Sequence, residues 1–377
     1  MKYISSLVLV FILVIIHGCI SSFIPETSEK KESLVVDGLI TDQHGPYEVI
    51  VTKTMALGKV TKPDPVPMCI VSITDDEDHK EPLYEETQGH YLTSPSFVGV
   101  PGKKYVLEII TPPSFAGSTR VYRSYPMELK AVPPIDSLYY EKTLIKERQG
   151  SSGKKEGAEV YIDTYDASGS CNLFRWDYEE TWEFHLPFPA PPNKVCWITR
   201  KADVINIKST LALSETRISR YPLDFISNES DRLSVKYSVL VNQYALNEDE
   251  FAYWEKMKNI YDNIGTLYDV IPSSVSSNIY CVDDPGENVL GYFSVSGKSS
   301  KRLFIKEFFS GIVSFYSNCQ PDTAWSGDVI PGLDLWNWII DDQSLQHGYK
   351  VYTSHRDCAD CTTRGSTVKP DFWDEGK

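Results

Sequence analysis

The residues best suited to chemistry lie near the C-terminus, in the segment HRDCADC. Cys358 and Cys361 are spaced so that two thiolates could bind one metal ion, and His355 could add a third ligand, but no fourth ligand is evident. In an oxidising compartment, disulfides within this segment or from it to Cys319 or Cys281 are the simpler interpretation. A redox-active pair would need a helix after the motif, and TTRGSTVKP is not a helical sequence. We therefore predict disulfides here, with no metal and no cofactor.

Two acidic clusters offer oxygen ligands that could attract Ca²⁺. The first, DDEDH at residues 75–79, lacks the glycine and the distal glutamate of an EF-hand loop. The second, CVDDPGEN, places Asp283, Asp284 and Glu287 around an Asp-Pro-Gly sequence that is typical of a tight turn. We predict a turn at both positions rather than a calcium site.

Motifs for nucleophilic or metal-dependent catalysis are not evident. The sequence has no G-x-S-x-G, H-E-x-x-H or S-x-x-K pattern in a sensible context, and its seven histidines are scattered. Paired carboxylates for glycoside hydrolysis come from separate strands and leave no local motif, so a hydrolase stays open as an alternative. The pattern favours a protein that is not an enzyme.

The N-terminus predicts export and lipidation. Lys2 precedes an apolar run at residues 7–16, which is too short to span a bilayer. Ile16 and Gly18 stand before Cys19 as in lipoprotein signals, although His17 departs from the usual small residue. We predict a signal peptide over residues 1–18, acylation of Cys19 and a tether over residues 19–33. The alternative, a soluble secreted protein with Cys19 in a disulfide, requires a cleavage site that we do not find.

The cysteine count of an exported chain predicts a disulfide framework. Cys69 lies in the apolar run MCIVSI, far from the others, and is expected to stay free. The expected disulfide cysteines are Cys171, Cys196, Cys281, Cys319, Cys358 and Cys361, with their connectivity left open.

Length and charge limit the remaining choices. A chain of 377 residues exceeds one ordinary core, which predicts two domains. The formal net charge is −15 without any basic stripe, which argues against binding to nucleic acids.

The elements that would position these residues are mainly strands. Residues 34–134 contain short β-branched and aromatic runs with turn signals between them, which predicts an N-terminal immunoglobulin-like β-sandwich of about seven antiparallel strands. Residues 135–377 predict a larger antiparallel β domain with one or two helices, and the Gly, Ser and Lys stretch at 147–157 predicts an exposed hairpin loop.

The clearest strand signal is FRWDYEETWEF. Its aromatic residues share one parity and its charged residues the other, so one face should be buried; Glu180 alone breaks the alternation. One strong helix follows Asn247, its expected N-cap. Glu250 occupies the capping-box position, and the helix stripe of Phe251, Trp254, Tyr261 and Ile264 should pack on the second domain.

The aromatic content suggests either a core or binding surfaces. The regularly spaced residues Trp176, Trp182 and Trp254 are expected in the core. Trp336, Trp338 and Trp373 lie in the less periodic stretches DLWNWII and PDFW, and we predict them as interface anchors.

Several segments together resemble one family. LVVDGLITDQHGPYEV, EDEFAYWEKMKN, SNIYCVDDPGENVLGYFSVS and the closing CADCTTRGSTVKPDFW are similar to a group of Gram-negative outer-membrane lipoproteins catalogued as a domain of unknown function. In that resemblance Cys19 matches the lipidated cysteine, and Cys358 and Cys361 match a terminal cysteine pair without a known role.

The resemblance implies an accessory to SusC-like TonB-dependent transporters. We therefore expect a lipid-anchored outer-membrane protein that helps to capture a nutrient, with a glycan or peptide as a possible ligand. The alternative is a stand-alone glycan-binding or adhesive surface module. The face of the outer membrane, the ligand and the formation of a stable transporter complex are left open.

Overall fold

A computed structural model describes residues 33–54, 63–146, 154–188, 193–263, 275–316, 318–325, 327, 338–341, 348–353 and 355–375. The predicted signal peptide, Cys19 and the tether up to residue 32 lie outside the described residues. Trp336, Ile264 and most of the predicted loop at 147–157 also lie outside them.

The described chain is mainly β, as predicted. The first nine strands are β1 (Leu34–Ile40), β2 (Glu48–Lys53), β3 (Asp64–Pro65), β4 (Ile70–Asp75), β5 (Lys80–Thr87), β6 (His90–Leu92), β7 (Lys104–Thr111), β8 (Arg120–Ser124) and β9 (Met127–Glu128). The next seven are β10 (Ile135–Lys146), β11 (Lys154–Tyr165), β12 (Leu173–His185), β13 (Val195–Lys201), β14 (Asn206–Ser209), β15 (Arg217–Ser227) and β16 (Lys236–Ala245). The last six are β17 (Ile279–Cys281), β18 (Leu290–Val295), β19 (Lys298–Ile305), β20 (Asp322–Trp325), β21 (Trp338–Asp341) and β22 (Tyr349–Thr353).

The helical elements are few and mostly short. The α-helices are Pro113–Ala116, the long helix Glu248–Asn263, and Arg356–Ala359. The 3₁₀ helices are Asp231–Leu233, Cys361–Thr363 and Asp371–Asp374. None of the helices in the described part of the chain has the length and apolar character that a membrane span requires.

The N-terminal strands form one connected sheet around the first core. Its path runs β17-β8-β7-β4-β5-β6-β2-β1-β18, with β3 beside β2 and β9 beside β7. Inward-facing residues such as Val36, Val51, Ile73 and Leu107 from different parts of this path share one buried cluster. The predicted antiparallel character holds for most pairs, but β1 and β18 run parallel, and the immunoglobulin-like form is not confirmed.

Two strands of this first sheet come from far along the chain. β17 and β18 were expected in the second domain, and they instead add Ile279, Cys281 and Phe293 to the first core. The two ends of the sheet path therefore meet, because β17 and β18 lie side by side. A domain boundary at residue 134 therefore separates β17 and β18 from the core to which they belong. The sequence could not predict this, because strand pairing between distant parts of the chain leaves no local signal.

The second core lies between two sheets. One sheet has the order β10-β11-β15, and the other has the order β13-β12-β16-β19 with β14 beside β12. As predicted, the face of β12 that carries its aromatic residues is buried. These residues are at most 5% exposed: Phe174, Trp176, Tyr178, Trp182 and Phe184. Lys154 to Gly157, predicted as part of a loop, already belong to β11. A third sheet, β20-β22-β21, lies near the C-terminus.

The long helix packs at the junction of the two cores rather than on the second alone. Phe251 and Trp254 pack against a small buried cluster of Leu173, Tyr244 and Leu246, and Leu39 of β1 packs against the same cluster. The Tyr253 ring packs against that of Tyr292 in the first core, with the two ring centroids 4.6 Å apart and the planes tilted by 37°.

The long helix begins directly after Asn247, as predicted, but the side-chain contacts at its start differ from the predicted capping box. The Asn247 side chain donates to the Glu128 carbonyl at 3.0 Å. Glu250 is fully buried, with Trp254 Nε1 3.4 Å from its Oε1. Tyr261, predicted on the buried stripe, is 48% exposed.

Candidate functional site

A cavity of about 420 Å³ opens at the edge of the second core, where β12 ends. Its wall combines Phe184 and His185 of β12, the 3₁₀ helix Asp231–Leu233 and the segment 307–316 that follows β19. Phe184, Phe309 and Tyr316 are at least nine-tenths buried, and the Phe184 and Tyr316 rings stack 6.4 Å apart. The cavity therefore has a buried aromatic floor.

Three apolar side chains beside the cavity project into solvent. Phe308 is 83% exposed, and Val313 and Phe315 are each 53% exposed. We call these three residues the apolar rim. Single exposed apolar residues are ordinary, but three of them on one short segment beside a cavity are typical of an interaction surface.

Hydrogen bonds fix the backbone of the rim segment. Lys142 Nζ donates to the Phe308 carbonyl at 2.6 Å. Asn228 holds the segment twice, because its Nδ2 donates to the Ser310 carbonyl at 3.0 Å and its carbonyl accepts from the Val313 N–H at 2.7 Å. The rim is therefore held out in a defined conformation.

Arg364 ties the rim to the C-terminal segment. Its Nη1 donates to Asp231 Oδ2 at 2.8 Å and to the Tyr316 hydroxyl at 3.2 Å. The guanidinium also lies 3.8 Å from the centroid of the Phe315 ring and 4.7 Å from that of Phe184. Such a stacked, hydrogen-bonded arginine orients the aromatic rings around it.

Two disulfides fasten this region. Cys319 of the rim's own loop pairs with Cys358, and Cys196 of β13 pairs with Cys361. The C-x-x-C cysteines thus belong to two different disulfides, and His355 is exposed beside them. The two bonds join the rim loop, the C-terminal segment and the second core.

The disulfide prediction is wrong for two cysteines. Cys171 and Cys281 are buried free thiols, as is Cys69, which was predicted to be free. Cys171 lies in the second core, whereas Cys69 and Cys281 lie in the first. Burial raises the pKa of the Cys171 thiol to about 12 and that of Cys69 to about 11, which disfavours the reactive thiolate.

The carboxylates that line the cavity are engaged by cations of the protein. Asp231 pairs with Arg364, and Glu307 lies 3.7 Å from Lys142 Nζ and accepts from the Tyr140 hydroxyl at 3.1 Å. An arriving substrate would compete with these partners. The cavity is better suited to binding an apolar or aromatic group than to acid–base chemistry.

The acidic turn at 75–79 contains its own cation. Asp75, Glu77 and His79 bring their ligand atoms within 4.8 Å of one another. Lys103 Nζ lies 2.8 Å from Asp75 Oδ2 and 2.7 Å from Glu77 Oε2. Although burial alone would raise it, the hydrogen bonds from Lys103 and from the turn backbone hold the pKa of Asp75 well below its usual range. The expected turn is present, and its Asp75 and Glu77 carboxylates are paired with a lysine of the protein.

The second acidic cluster is also structural. Asp283 accepts from the Val121 N–H at 2.7 Å, and Asp284 accepts from Gly286 within a turn closed by the Glu287 N–H. Glu287 pairs with Arg120 and accepts from the Tyr122 hydroxyl. These carboxylates hold the β17–β18 connection to β8.

Glu180, which interrupts the alternation of aromatic and charged residues in β12, belongs to a buried network of charged side chains that was not predicted. Glu180 is 2% exposed and accepts from Arg200 at 2.8 Å, Arg232 at 2.5 Å and the Tyr237 hydroxyl at 2.7 Å. Although burial raises it, Arg232 and the hydrogen bonds hold the pKa of Glu180 below its usual range. A second cavity of about 290 Å³, with Asp224 in its wall, adjoins this network. The sequence feature that could have indicated this network is the single charged residue on the aromatic face of β12.

Of the three tryptophans predicted as interface anchors, the structure describes the side chain of Trp373 alone. Trp373 is 3% exposed and packs between Trp197, Phe304 and Lys236, so its prediction is wrong. Trp338 begins β21, and its side chain lies outside the described residues, as does Trp336. Among the tryptophans whose side chains the structure describes, the exposed one is Trp325, at 72%.

A family model described as "Domain of unknown function (DUF4249)" matches residues 20–302. The match covers the first core and most strands of the second, and it ends before the apolar rim and the closing CADCTTRGSTVKPDFW. No curated protein matches the chain.

Proposed function

The chain belongs to the DUF4249 family, and from this premise we propose that it is a non-enzymatic outer-membrane lipoprotein that docks on a SusC-like TonB-dependent transporter and helps to capture a nutrient. The observation that carries the docking role is the apolar rim, held rigidly beside an aromatic cavity. The transporter as partner rests on the sequence resemblance.

The rim has the properties of a preorganised interface. Its backbone is fixed by Lys142 and Asn228, and its loop is closed by the Cys319–Cys358 disulfide. A partner that covers Phe308 and Phe315 would therefore bury apolar area with little loss of chain entropy. Aromatic side chains in such positions commonly dominate binding energy.

The anchoring part of the proposal rests on the N-terminal sequence. An acylated Cys19 would hold the protein stably on a membrane, because its several acyl chains act together. The two disulfides are consistent with an exported protein, since such bonds persist in oxidising compartments.

A stand-alone glycan-binding module is the second candidate. Trp325 of β20 pairs in register with Tyr349 of β22, and both line a cavity of about 560 Å³. Neighbouring aromatic side chains on a sheet can stack on the apolar face of a sugar ring. This observation favours glycan binding independently of a transporter.

A mild-detergent pull-down from native outer membranes tests the proposal. The tagged lipoprotein should recover a TonB-dependent receptor in stoichiometric amount, and a Cys19→Ala variant should recover less. An anchored protein that recovers no receptor would overturn the docking role. If that protein binds polysaccharide and Trp325→Ala abolishes the binding, the second candidate replaces the first.

A further inference from the structure

One end of the first core carries both the start of the described chain and a patch of exposed apolar side chains. We propose that this end rests on the lipid surface of the membrane, with the patch in contact with the boundary between headgroups and acyl chains. The inference rests on the anchoring part of the proposed function and adds an orientation to it.

The strand registers define this end, which we call the anchor pole. Leu34 at the start of β1 lies opposite Lys53 at the end of β2. His90 at the start of β6 lies opposite Thr87 at the end of β5. Ile70 at the start of β4 lies opposite Ile110, near the end of β7. The chain therefore enters the first core at the pole where β4, β6 and β8 also begin.

An apolar stripe crosses the outer face of the sheet at this pole. Met68 is 67% exposed, Ile70 is 66% exposed and Tyr84 is 51% exposed. The half-buried side chains of Ile110 on β7 and Val121 on β8 continue the row on neighbouring strands. Because alternate residues of these strands face the core, this row faces outward. Such a stripe on a solvent-facing sheet calls for a partner.

The backbone at Met68 keeps the patch exposed. Met68 has φ of 61°, in the left-handed region that non-glycine residues rarely adopt. Its N–H donates to Glu85 Oε2 at 3.0 Å, which holds this conformation. Strained backbone that is held in place by specific contacts is concentrated at functional positions.

The length of the tether argues for lipid as the partner. Only 13 residues separate Cys19 from Ser33. They span at most about 45 Å when extended and about 20 Å as a flexible chain. The anchor pole is therefore held close to the lipid surface, and its apolar side chains can reach the interface.

The opposite pole leads to the second core. β1 ends there at Ile40, Lys130 bridges to Ser296, and the Gly297 N–H donates to the Lys130 carbonyl at 2.9 Å. Contact between the anchor pole and the membrane would therefore place the first core as a spacer. The second core and its apolar rim would stand away from the lipid.

Site-specific fluorescence on the lipidated full-length protein tests this orientation. Tyr84→Cys is labelled with an environment-sensitive fluorophore, and the protein is reconstituted into phosphatidylethanolamine–phosphatidylglycerol vesicles with or without brominated acyl chains. Val100→Cys is the matched control, because Val100 is 46% exposed on the opposite pole. The parent protein, with its buried free cysteines, should remain unlabelled.

We expect bromolipid to reduce the fluorescence at position 84 and to leave the fluorescence at position 100 unchanged. Adding Met68→Ser and Ile70→Ser to the Tyr84→Cys protein should weaken the quenching. Equal quenching at both positions, quenching at neither, or no effect of the serine substitutions would overturn the orientation. Flotation with the vesicles reports the anchor separately: a protein that floats without quenching at position 84 refutes only the orientation, whereas one that does not float refutes the anchor as well.

Discussion

The side-chain amide of Asn278 makes two hydrogen bonds to the backbone of Phe293, donating to its carbonyl at 2.8 Å and accepting from its N–H at 2.9 Å. A neighbouring strand would make the same pair of bonds. Asn278 is 6% exposed, and it precedes β17, while Phe293 lies in β18. One side chain thus joins the two ends of the first sheet.

Asn278→Ala should destabilise the first core. The substitution leaves a buried N–H and a buried carbonyl of Phe293 without partners, which should lower the free energy of unfolding by about 2–4 kcal/mol. Asn278→Asp should lower the free energy of unfolding at least as much, because a carboxylate oxygen would then face the Phe293 carbonyl oxygen. Urea denaturation measures both, with Leu211→Ala at a 62% exposed position as the control. An unchanged midpoint would show that water or another group replaces the amide.

Glu180→Gln should destabilise the second core mainly at neutral pH. Removing the charge leaves Arg232 buried without its partner, at a cost of about 2–4 kcal/mol. The folded-state pKa of Glu180 lies below its ordinary value of 4.5, so its contribution is present above that pH and is lost as the pH falls through the folded-state pKa. The difference between wild type and variant should therefore shrink in acid. Glu179→Gln, on the other face of β12, is the control, and a difference independent of pH would contradict the ionic role.

Glu250→Gln should stabilise the junction between the two cores at neutral pH. Burial raises the pKa of Glu250 to about 6, although a Ser294 hydrogen bond and Arg175 oppose the shift, and its Oε2 has no hydrogen-bond partner among the described residues. Because the folded-state pKa is raised, stability falls as the pH rises from about 4.5 to about 6, by about 2 kcal/mol.

The neutral glutamine avoids this loss of stability. The free energy of unfolding of the variant should therefore exceed that of the wild type above pH 6 and equal it below pH 4.5. Thermal unfolding across this pH range measures the difference. A variant less stable than the wild type at pH 7 would mean that the ionised carboxylate is favourable in the folded protein.

Substitution of the apolar rim should weaken transporter binding without unfolding the protein. Phe308→Ser with Val313→Ser removes exposed side chains, so stability should change little, whereas recovery of the transporter should fall by about tenfold or more. Leu211→Ser with Leu213→Ser removes equally apolar, exposed residues elsewhere. If both double variants recover the transporter equally, the rim is not the interface.

Loss of the Cys319–Cys358 disulfide should loosen the rim. The bond closes a loop with a sequence separation of 39 residues. In the chain-entropy model, a disulfide that closes such a loop stabilises the folded state by about 4 kcal/mol. Cys319→Ser with Cys358→Ser should lower stability and increase hydrogen exchange in the rim segment. Cys196→Ser with Cys361→Ser is the comparison, and the same exchange pattern in both would show that neither bond acts locally.

The sequence predicted the elements whose signal is local. The parity of β12 placed its five aromatic residues in the core, and the one exception, Glu180, marked a position that needed buried partners. Those partners come from β13, which contains Arg200, and from a 3₁₀ helix, which contains Arg232, so no pattern within β12 could identify them. Strand β5 has no clear strand signal, because KEPLYEET carries a proline and four charged residues, yet it lies between β4 and β6 in the sheet.

The errors concern long-range contacts. Trp373 lies in a non-periodic segment, and only the folded chain shows that Trp197 and Phe304 enclose it. Cys171 and Cys281 resemble the other cysteines in sequence, but they belong to separate cores. The apolar rim falls in a segment whose composition is ordinary for a loop, and its exposure depends on bracing by Asn228 and Cys358.

The parallel pairing of β1 with β18 also bears on mechanical load. A membrane-held chain would be pulled at Leu34, while β18 continues at the opposite pole into β19 of the second core. Force between these points slides β1 along β18, so that the hydrogen bonds from Val35 to Ile40 share the load instead of opening one after another. In that arrangement the first core would resist shear between the proposed lipid anchor and whatever the second core holds.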